Sequence, residues 1–160
     1  MVDEKDWADA RVAGSRPMLH ATAAADARLP ANLLQEIVDH SRAGVPNEAC
    51  GLLVGDAYAA DGGVPIRFMP LRNAAESPYR YLIDSDDLLK VVEIEDGGEF
   101  VWGIVHSHVA SPAEPSATDV GLAYYPDSLY LICSLAEPVP VVRAWSIRND
   151  TVLEVPLSVV

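Results

Sequence analysis

The sequence predicts a single α/β or α+β domain in which helices pack against a central β-sheet. A chain of 160 residues fits one domain, and a hydrophobic content of 50% is enough to bury a substantial core. Two helix-length stretches, each with one apolar face, alternate with apolar runs of strand length. Residues 129–135 are almost continuously apolar, which is typical of a strand covered on both faces. The expected order is strand, helix, three strands, helix, strand, helix and then further strands.

The first part of the chain is predicted to hold an extension, a short strand and the first helix. Residues 1–17 are expected to be a disordered N-terminal extension, so we place the domain at residues 18–160, with a short strand at residues 19–23. The first helix begins at Leu29-Pro30, because proline is tolerated in a first turn. Gly44 and Pro46 end this helix. Its apolar stripe consists of Leu33, Leu34, Ile37 and Val38.

Three strands are predicted next, at residues 48–55, 64–71 and 79–83. Pro65 and Pro70 favour an edge position for the second of them, because proline cannot donate to a β-ladder. A second helix follows a cap at Asp84 or Ser85 and ends at Gly97-Gly98. Its predicted apolar stripe consists of Leu88, Leu89, Val91, Val92 and Ile94.

The last part of the chain is predicted to complete the sheet. A buried strand spans residues 100–108, a short helix runs from Ser116 through Tyr125, and another strand spans residues 129–135. Residues 139–147 and 151–155 are expected to form a hairpin around Asn149-Asp150.

Composition argues against several classes of partner. A formal net charge of −13 disfavours binding to nucleic acid or to anionic membrane. No stretch approaches the length of a transmembrane helix, and residues 1–16 lack the apolar core of a secretory signal. The two cysteines, Cys50 and Cys133, lie far apart in apolar runs and form no Cys-x-x-Cys pair. This favours buried thiols in a reducing compartment, and we expect a cytoplasmic protein.

The residues most suggestive of chemistry lie between positions 106 and 119. Residues i and i+2 of a strand point the same way, so His106 and His108 can offer two imidazoles to one ion while Ser107 points away. Asp119 can supply a third ligand from the following helix. Two histidines, one carboxylate and an open position are typical of catalytic zinc, although other divalent ions also accept such ligands. Zinc there would lower the pKa of a water towards ~7 and polarise a substrate carbonyl.

These residues also have plain structural interpretations. A bare His-x-His pair is more often two ordinary histidines at a sheet edge, and it is the added Ser116 and Asp119 that favour the metal site. Ser116-x-x-Asp119 is itself similar to a capping box at a helix start. The two interpretations are compatible, because a capping serine is rigid and a rigid hydroxyl suits a developing oxyanion.

His106-Ser107-His108, Ser116 and Asp119, at their spacings, resemble the H-x-H-x7-S-x2-D motif of the JAMM (MPN+) metalloprotease family. The resemblance covers about residues 18–158. It implies a mixed central sheet flanked by helices in the cytidine-deaminase-like arrangement, without the insertions of eukaryotic deubiquitinases. It also implies a catalytic glutamate at the mouth of an early strand, and Glu48 stands there.

Residues 46–51, 73–78, 84–89 and 106–119 are also similar to the short actinobacterial members of Mec type. Those members hydrolyse the bond between a ubiquitin-like sulfur carrier protein and a cysteine built on its C-terminus. The resemblance therefore implies zinc on His106, His108 and Asp119, Glu48 as base and then acid, and Ser116 as donor to the oxyanion. One departure is Val109, where many members have proline, although no ligand is lost with it.

Three functions remain open at this point. The first is a zinc peptidase that releases cysteine from a sulfur carrier, and the second is an isopeptidase or processing peptidase for related carriers of thiamin or molybdopterin synthesis. The third, of another class, is a non-catalytic module that binds such a carrier. A homodimer is one alternative for the oligomeric state. A zinc deaminase is disfavoured, because the chain has no His-x-Glu and no Pro-Cys-x-x-Cys.

Overall fold

A central six-stranded sheet with helices on both faces forms the core of the protein. The computed structural model describes residues 26–160, so the predicted extension at residues 1–17 and strand at residues 19–23 lie outside the described residues. The strands in chain order are β1 (Ala27–Leu29), β2 (Cys50–Gly55), β3 (Pro65–Leu71), β4 (Phe100–His108), β5 (Leu129–Ser134), β6 (Val141–Arg148), β7 (Thr151–Val155) and β8 (Leu157–Val159). This architecture confirms the predicted mixed α+β fold class.

The sheet is mixed because one of its pairings is parallel. Its strand order is β3-β2-β4-β5-β6-β7, and β4 and β5 are the parallel pair while the other neighbours are antiparallel. The prolines of β3 lie on an edge strand, as predicted. Strands β1 and β8 form a separate parallel pair.

Helices cover the two faces of the sheet. The helices of residues 26–160 are α1 (Ala31–Gly44), α2 (Ser85–Asp96) and α3 (Ala117–Gly121), and Ala59–Asp61 form a 3₁₀ turn. Helix α1 buries Leu33 and Ile37 in a cluster that includes Val105 of β4. Helix α2 buries Val91 and Ile94 on the other side of the sheet. None of these helices is long and apolar enough to cross a membrane.

Several local predictions are confirmed. Asp84 is the N-cap of α2, where its side chain accepts a hydrogen bond from the Asp86 N–H. Asn149 and Asp150 adopt left-handed φ angles of 47° and 64° between β6 and β7, as a tight hairpin turn requires.

Three local predictions are wrong. Residues 79–83 form no strand but a loop with one isolated bridge from Asn73 to Ile83, because the Asn73 side chain accepts from the Leu82 N–H and donates to the Arg80 carbonyl. The helix after Ser116 ends at Gly121 rather than Tyr125, and the Tyr125 N–H donates instead to the Tyr130 hydroxyl. Leu89 of the predicted apolar stripe is 62% exposed. Strands β1 and β8 were not predicted, since three residues are too few to show a period.

Gly51 of β2 lies where the sheet leaves no room for a side chain. An added Cβ would lie 2.5 Å from Cε2 of Phe68 and 2.7 Å from the main-chain oxygen of Met69. We expect Gly51→Ala to lower the free energy of unfolding by about 1–3 kcal/mol, because overpacking forces the backbone to shift. Urea unfolding measures the loss. Gly121→Ala is the control, since a Cβ added there would meet no heavy atom within 4 Å, and an equal loss in both variants would contradict the packing explanation.

Candidate active site

Strand β4 presents two histidine side chains to the α2 side of the sheet. His106 and His108 alternate with Ser107, and their Nε2 atoms lie 3.2 Å apart in a buried position. Ser107 points to the opposite face, where its hydroxyl accepts a hydrogen bond from the Ala49 N–H at 2.8 Å. The Ser107 N–H donates in turn to the Ala49 carbonyl at 2.9 Å. The end of β4 is therefore tied firmly to the segment that precedes β2.

Helix α3 brings a buried carboxylate to the two imidazoles. Oδ2 of Asp119 lies 3.1 Å from Nε2 of His108 and 3.2 Å from Nε2 of His106. The same oxygen accepts a hydrogen bond from the Ser116 N–H at 2.8 Å, and the Asp119 N–H donates to the Ser116 hydroxyl at 3.1 Å. This is the capping box that the spacing of the two residues predicted. Because Oγ of Ser116 accepts the cap bond, its own O–H proton remains available for a further partner.

The antiparallel register of β2 and β4 places Glu48 beside His108. Cys50 pairs with His106, and the Ala49–Ser107 hydrogen bonds continue that register by one residue. Glu48 therefore stands opposite His108, and directly opposed residues of an antiparallel pair project to the same face. Its side chain is buried, with 4% of the residue exposed.

The backbone of Glu48 is held from both sides by the loop of residues 73–83. Its N–H donates to the Ser77 carbonyl at 2.9 Å, and its carbonyl accepts from Nδ2 of Asn73 at 2.9 Å. Asn73 is buried, and it also donates to the Arg80 carbonyl and accepts from two loop N–H groups. A fully bonded amide thus fixes the main chain from which the Glu48 carboxyl projects.

Burial governs the ionisation of the site. Burial raises the pKa of Glu48 from its ordinary value of 4.5 to about 7, although the nearby His108 lowers it. Burial opposes ionisation of Asp119 as well, but hydrogen bonds from His106 and His108 hold the pKa of Asp119 well below its usual range. Burial also lowers the pKa of His106. Near neutral pH the aspartate is therefore charged and His106 is neutral, while Glu48 can both accept and release a proton.

The three side chains fit a tetrahedral metal site. Their facing atoms are two imidazole nitrogens and one carboxylate oxygen, separated by 3.1–3.2 Å. Ligands at zinc bond lengths of about 2.0–2.1 Å in a tetrahedron lie about 3.3 Å apart, so the spacing agrees with such a site. Oε2 of Glu48 is buried and has no hydrogen-bond partner among the described residues. It suits a base that takes a proton from a water in the site.

Different neighbours orient the two imidazoles. Nδ1 of His108 donates to the Pro112 carbonyl at 2.7 Å, so a metal would replace the proton that Nε2 shares with Asp119. Nδ1 of His106 is buried without a hydrogen bond among residues 26–160. The ring of Tyr81 stacks on the His106 ring instead, with centroids 4.5 Å apart and planes inclined by 22°.

The structure brings together all five residues that the sequence singled out: Glu48, His106, His108, Ser116 and Asp119. Sequence reasoning missed Asn73 and Tyr81, which hold Glu48 and His106 in place. Asn73 sits in a loop motif that the sequence showed, but no local pattern connects it to Glu48. Tyr81 was assigned to a strand that does not exist. Their roles depend on contacts between distant segments.

Comparison with known proteins assigns the chain to a family. Residues 30–148 match the family described as prokaryotic homologs of the JAB domain. The chain is 40% identical over 132 residues to the CysO-cysteine peptidase of Mycobacterium tuberculosis. The matched region covers 81% of this chain and 88% of that protein. It is also 38% identical over 112 residues to the desampylase of Haloferax volcanii, and that match covers 66% of this chain and 78% of that protein.

Solved structures agree with the fold. A protein from Desulfitobacterium hafniense superposes with a TM-score of 0.72 at 39% identity, covering 83% of this chain and 92% of that one. A JAB1/MPN domain protein from Archaeoglobus fulgidus superposes with a TM-score of 0.54 at 18% identity, covering 84% of this chain and 99% of that one. By its relatives the protein is a peptidase. The chain belongs to the prokaryotic homologs of the JAB domain, the family that its motif resembles.

The raised pKa of Glu48 predicts how stability depends on pH in the metal-free protein. Because folding raises this pKa from 4.5 to about 7, the folded protein holds the proton more tightly, and its stability falls as pH rises through this window. Glu48→Gln removes the buried charge. We expect it to stabilise the protein by about 1–2 kcal/mol at pH 8, after an allowance for solvent near the site, and by little below pH 4.5.

Urea unfolding in the presence of a chelator, at pH 8 and at the lowest pH where the protein stays folded, measures this effect. Glu36→Gln at an exposed position of α1 controls for the loss of one negative charge. A Glu48→Gln variant less stable than the parent at pH 8 would show that the carboxylate makes a favourable contact in the folded protein.

Proposed function

We propose that this protein is a zinc-dependent peptidase that hydrolyses the amide bond between the C-terminal glycine of a ubiquitin-like sulfur carrier protein and cysteine, and so releases cysteine. The convergence of Glu48, Ser116 and the three facing ligand atoms supports the reaction class. Similarity to a CysO-cysteine peptidase along 88% of that relative supports the substrate. The predicted cytoplasmic location and homodimer stay predictions.

The reaction assigns one task to each side chain. His106, His108 and Asp119 would hold zinc, which would supply Lewis acidity at the scissile carbonyl and would lower the pKa of a bound water. Glu48 accepts the proton of the attacking water, which its raised pKa allows near pH 7, and then passes a proton to the leaving amine. Ser116 donates its free O–H to the oxyanion of the tetrahedral intermediate, while the cap bond fixes its position.

Two features of the surface suit an extended protein tail. Strand β3 is an edge of the sheet, so its outer backbone groups can pair with an added strand. An apolar pocket with a cavity volume of about 60 Å³ lies on the α2 side of β4, next to the ring that stacks on His106. Its lining includes Tyr81, Ile83, Ile104, Tyr124 and Tyr130. The pocket is a candidate subsite for an apolar side chain of the substrate tail.

A second candidate function is an isopeptidase or processing peptidase for a related ubiquitin-like carrier. The 38% identity to a desampylase, over 78% of that protein, favours it. The chemistry at the site would be the same, and only the leaving amine and the carrier would differ. The third alternative, a non-catalytic binding module, is disfavoured because the relatives that the chain matches are enzymes and the chain retains all five motif residues.

The decisive assay incubates the zinc-loaded protein with a carrier–cysteine adduct and weighs the products. We expect the carrier to lose one cysteine residue, and we expect a chelator to abolish the loss. Glu48→Gln should keep its zinc and lose turnover by about 10²–10⁴-fold, because the proton has no other acceptor in place. Loss of zinc together with turnover would show that Glu48 is a ligand or a structural residue. An adduct that persists while another carrier precursor is trimmed would favour the second function.

The Ser116 hydroxyl gives a separate test of the oxyanion assignment. We expect Ser116→Ala to lower kcat by about 10²–10³-fold with little change in KM or zinc content. The variant also loses a helix cap, which costs about 1 kcal/mol, so thermal unfolding must show that it remains folded. Ser116→Thr should restore most of kcat because it keeps both the cap and the donor. Thr118→Ala, on the exposed face of α3, is the neutral control. Unchanged turnover in Ser116→Ala would remove the hydroxyl from the mechanism.

A further inference from the structure

We propose that Trp145 and Ser134 are positioning residues that hold the loop between His108 and Ser116 in its active geometry. We call residues 109–116 the ligand loop, because it joins the histidines of β4 to the capping box of α3. The activity readout of this proposal rests on the proposed peptidase function, whereas its structural readout does not. The role is carried by hydrogen bonds to the main chain of the loop.

Three consecutive carbonyls of the ligand loop each accept a hydrogen bond from a side chain of the sheet. The Ser134 hydroxyl donates to the Ser111 carbonyl at 2.6 Å. Nδ1 of His108 donates to the Pro112 carbonyl at 2.7 Å. Nε1 of Trp145 donates to the Ala113 carbonyl at 2.9 Å. The donors come from β5, β4 and β6, so the loop is fastened to three adjacent strands.

The Ser134 and Trp145 donors are shielded from water. Ser134 is 5% exposed, Trp145 is 9% exposed and Ala113 is 3% exposed. Ser134 pairs with His108 in the parallel ladder, and the Leu135 N–H donates to the His108 carbonyl. Because water cannot easily replace a lost donor there, removing the Trp145 N–H leaves the Ala113 carbonyl unsatisfied, and the loop must move to recover a partner.

An ion-pair cluster holds the outer end of the same loop. Two guanidinium nitrogens of Arg143 bind the Glu154 carboxylate at 2.8 Å each, and Nη1 reaches Glu114 at 3.0 Å. The guanidinium carbon lies 4.7 Å from the centroid of the Trp145 ring. Arg143 therefore binds Glu114 of the loop and also packs on Trp145, the residue that binds the Ala113 carbonyl.

The ligand loop needs this support because α3 cannot supply it. Helix α3 has five residues, and Asp119 is its one buried residue. A helix that short is not stable by itself, so the position of its first turn follows the loop before it. Hydrogen bonds from the sheet therefore fix the loop that sets the position of α3.

The chain contains a matched control for each positioning residue. Trp102 is fully buried and donates from Nε1 to the Gly63 carbonyl at 2.8 Å, in a turn that is not part of the candidate site. Ser128 is 3% exposed and donates to the Val101 carbonyl at 2.6 Å. Trp145→Phe and Trp102→Phe therefore each remove one buried indole N–H donor. Ser134→Ala and Ser128→Ala each remove one buried hydroxyl donor. Each pair separates a general loss of stability from a specific effect on the ligand loop.

Hydrogen–deuterium exchange of the zinc-loaded protein, read by mass spectrometry of peptic peptides, is the structural test. We expect Trp145→Phe and Ser134→Ala to exchange faster at residues 109–121, while Trp102→Phe and Ser128→Ala leave that segment unchanged. Zinc content should be equal in all four variants. Equal exchange of residues 109–121 in both members of each pair would overturn the proposal. If Trp145→Phe does not fold, the serine pair still decides.

Turnover of the carrier–cysteine adduct is the functional test. We expect kcat to fall by about 10-fold or more in Trp145→Phe with KM within about twofold, since a shift of 1 Å at a reacting group costs about 10²-fold. Trp102→Phe should keep kcat at a temperature where it is folded. If kcat falls by the same factor in Trp145→Phe and Trp102→Phe, Trp145 contributes only packing and the proposal is wrong. If the parent protein does not cleave the adduct, the proposed function fails, and the exchange experiment still tests the loop.

Discussion

The antiparallel pairing of β2 with β4 is the constraint on which the rest of the site depends. It sets Cys50 against His106 and ties Ala49 to Ser107 through two hydrogen bonds. Every side chain on a strand faces one side or the other, so a slip of one residue would send Glu48 to the opposite face from His108. Gly51 permits the close approach of the edge strand beside this pairing. The proposed base Glu48 and the two histidines, distant in sequence, are thus brought together by sheet register.

The candidate site adds two local devices to that register. A capping box joins Ser116 to Asp119, so a single set of hydrogen bonds starts a helix, directs a carboxylate towards the imidazoles and leaves a hydroxyl proton unused. Both carboxyls are buried, and hydrogen bonding separates their pKa values. Asp119 stays charged because it faces hydrogen-bond donors, whereas the pKa of Glu48 rises to about 7 because burial dominates there. Two carboxylates on one face therefore suit two tasks, ligation and proton transfer.

Much of the fold was readable from pattern. The stripe of α1, the cap of α2 and the buried runs of β4 and β5 follow from apolar periodicity and from single capping residues. Two of the three failures share one cause. Residues 79–83 alternate like a strand, yet their backbone groups bond to a buried asparagine instead of a neighbouring strand. The Tyr125 N–H donates to the hydroxyl of Tyr130 on β5 instead of continuing the helix. A partner from elsewhere in the chain outcompetes the local preference, and no window of sequence contains both partners.

The sequence by itself predicted the candidate metal site, because the types and spacings of His106, His108, Ser116 and Asp119 are local. Strand alternation and a helix cap convert such spacings directly into positions. Only the tertiary structure decided which distant residues support them. Asn73 beneath Glu48, Tyr81 against His106, and Trp145 and Ser134 on the ligand loop all act across pairings of separate segments. Such contacts depend on register and burial, which arise when the whole chain packs and are absent from any single stretch of it.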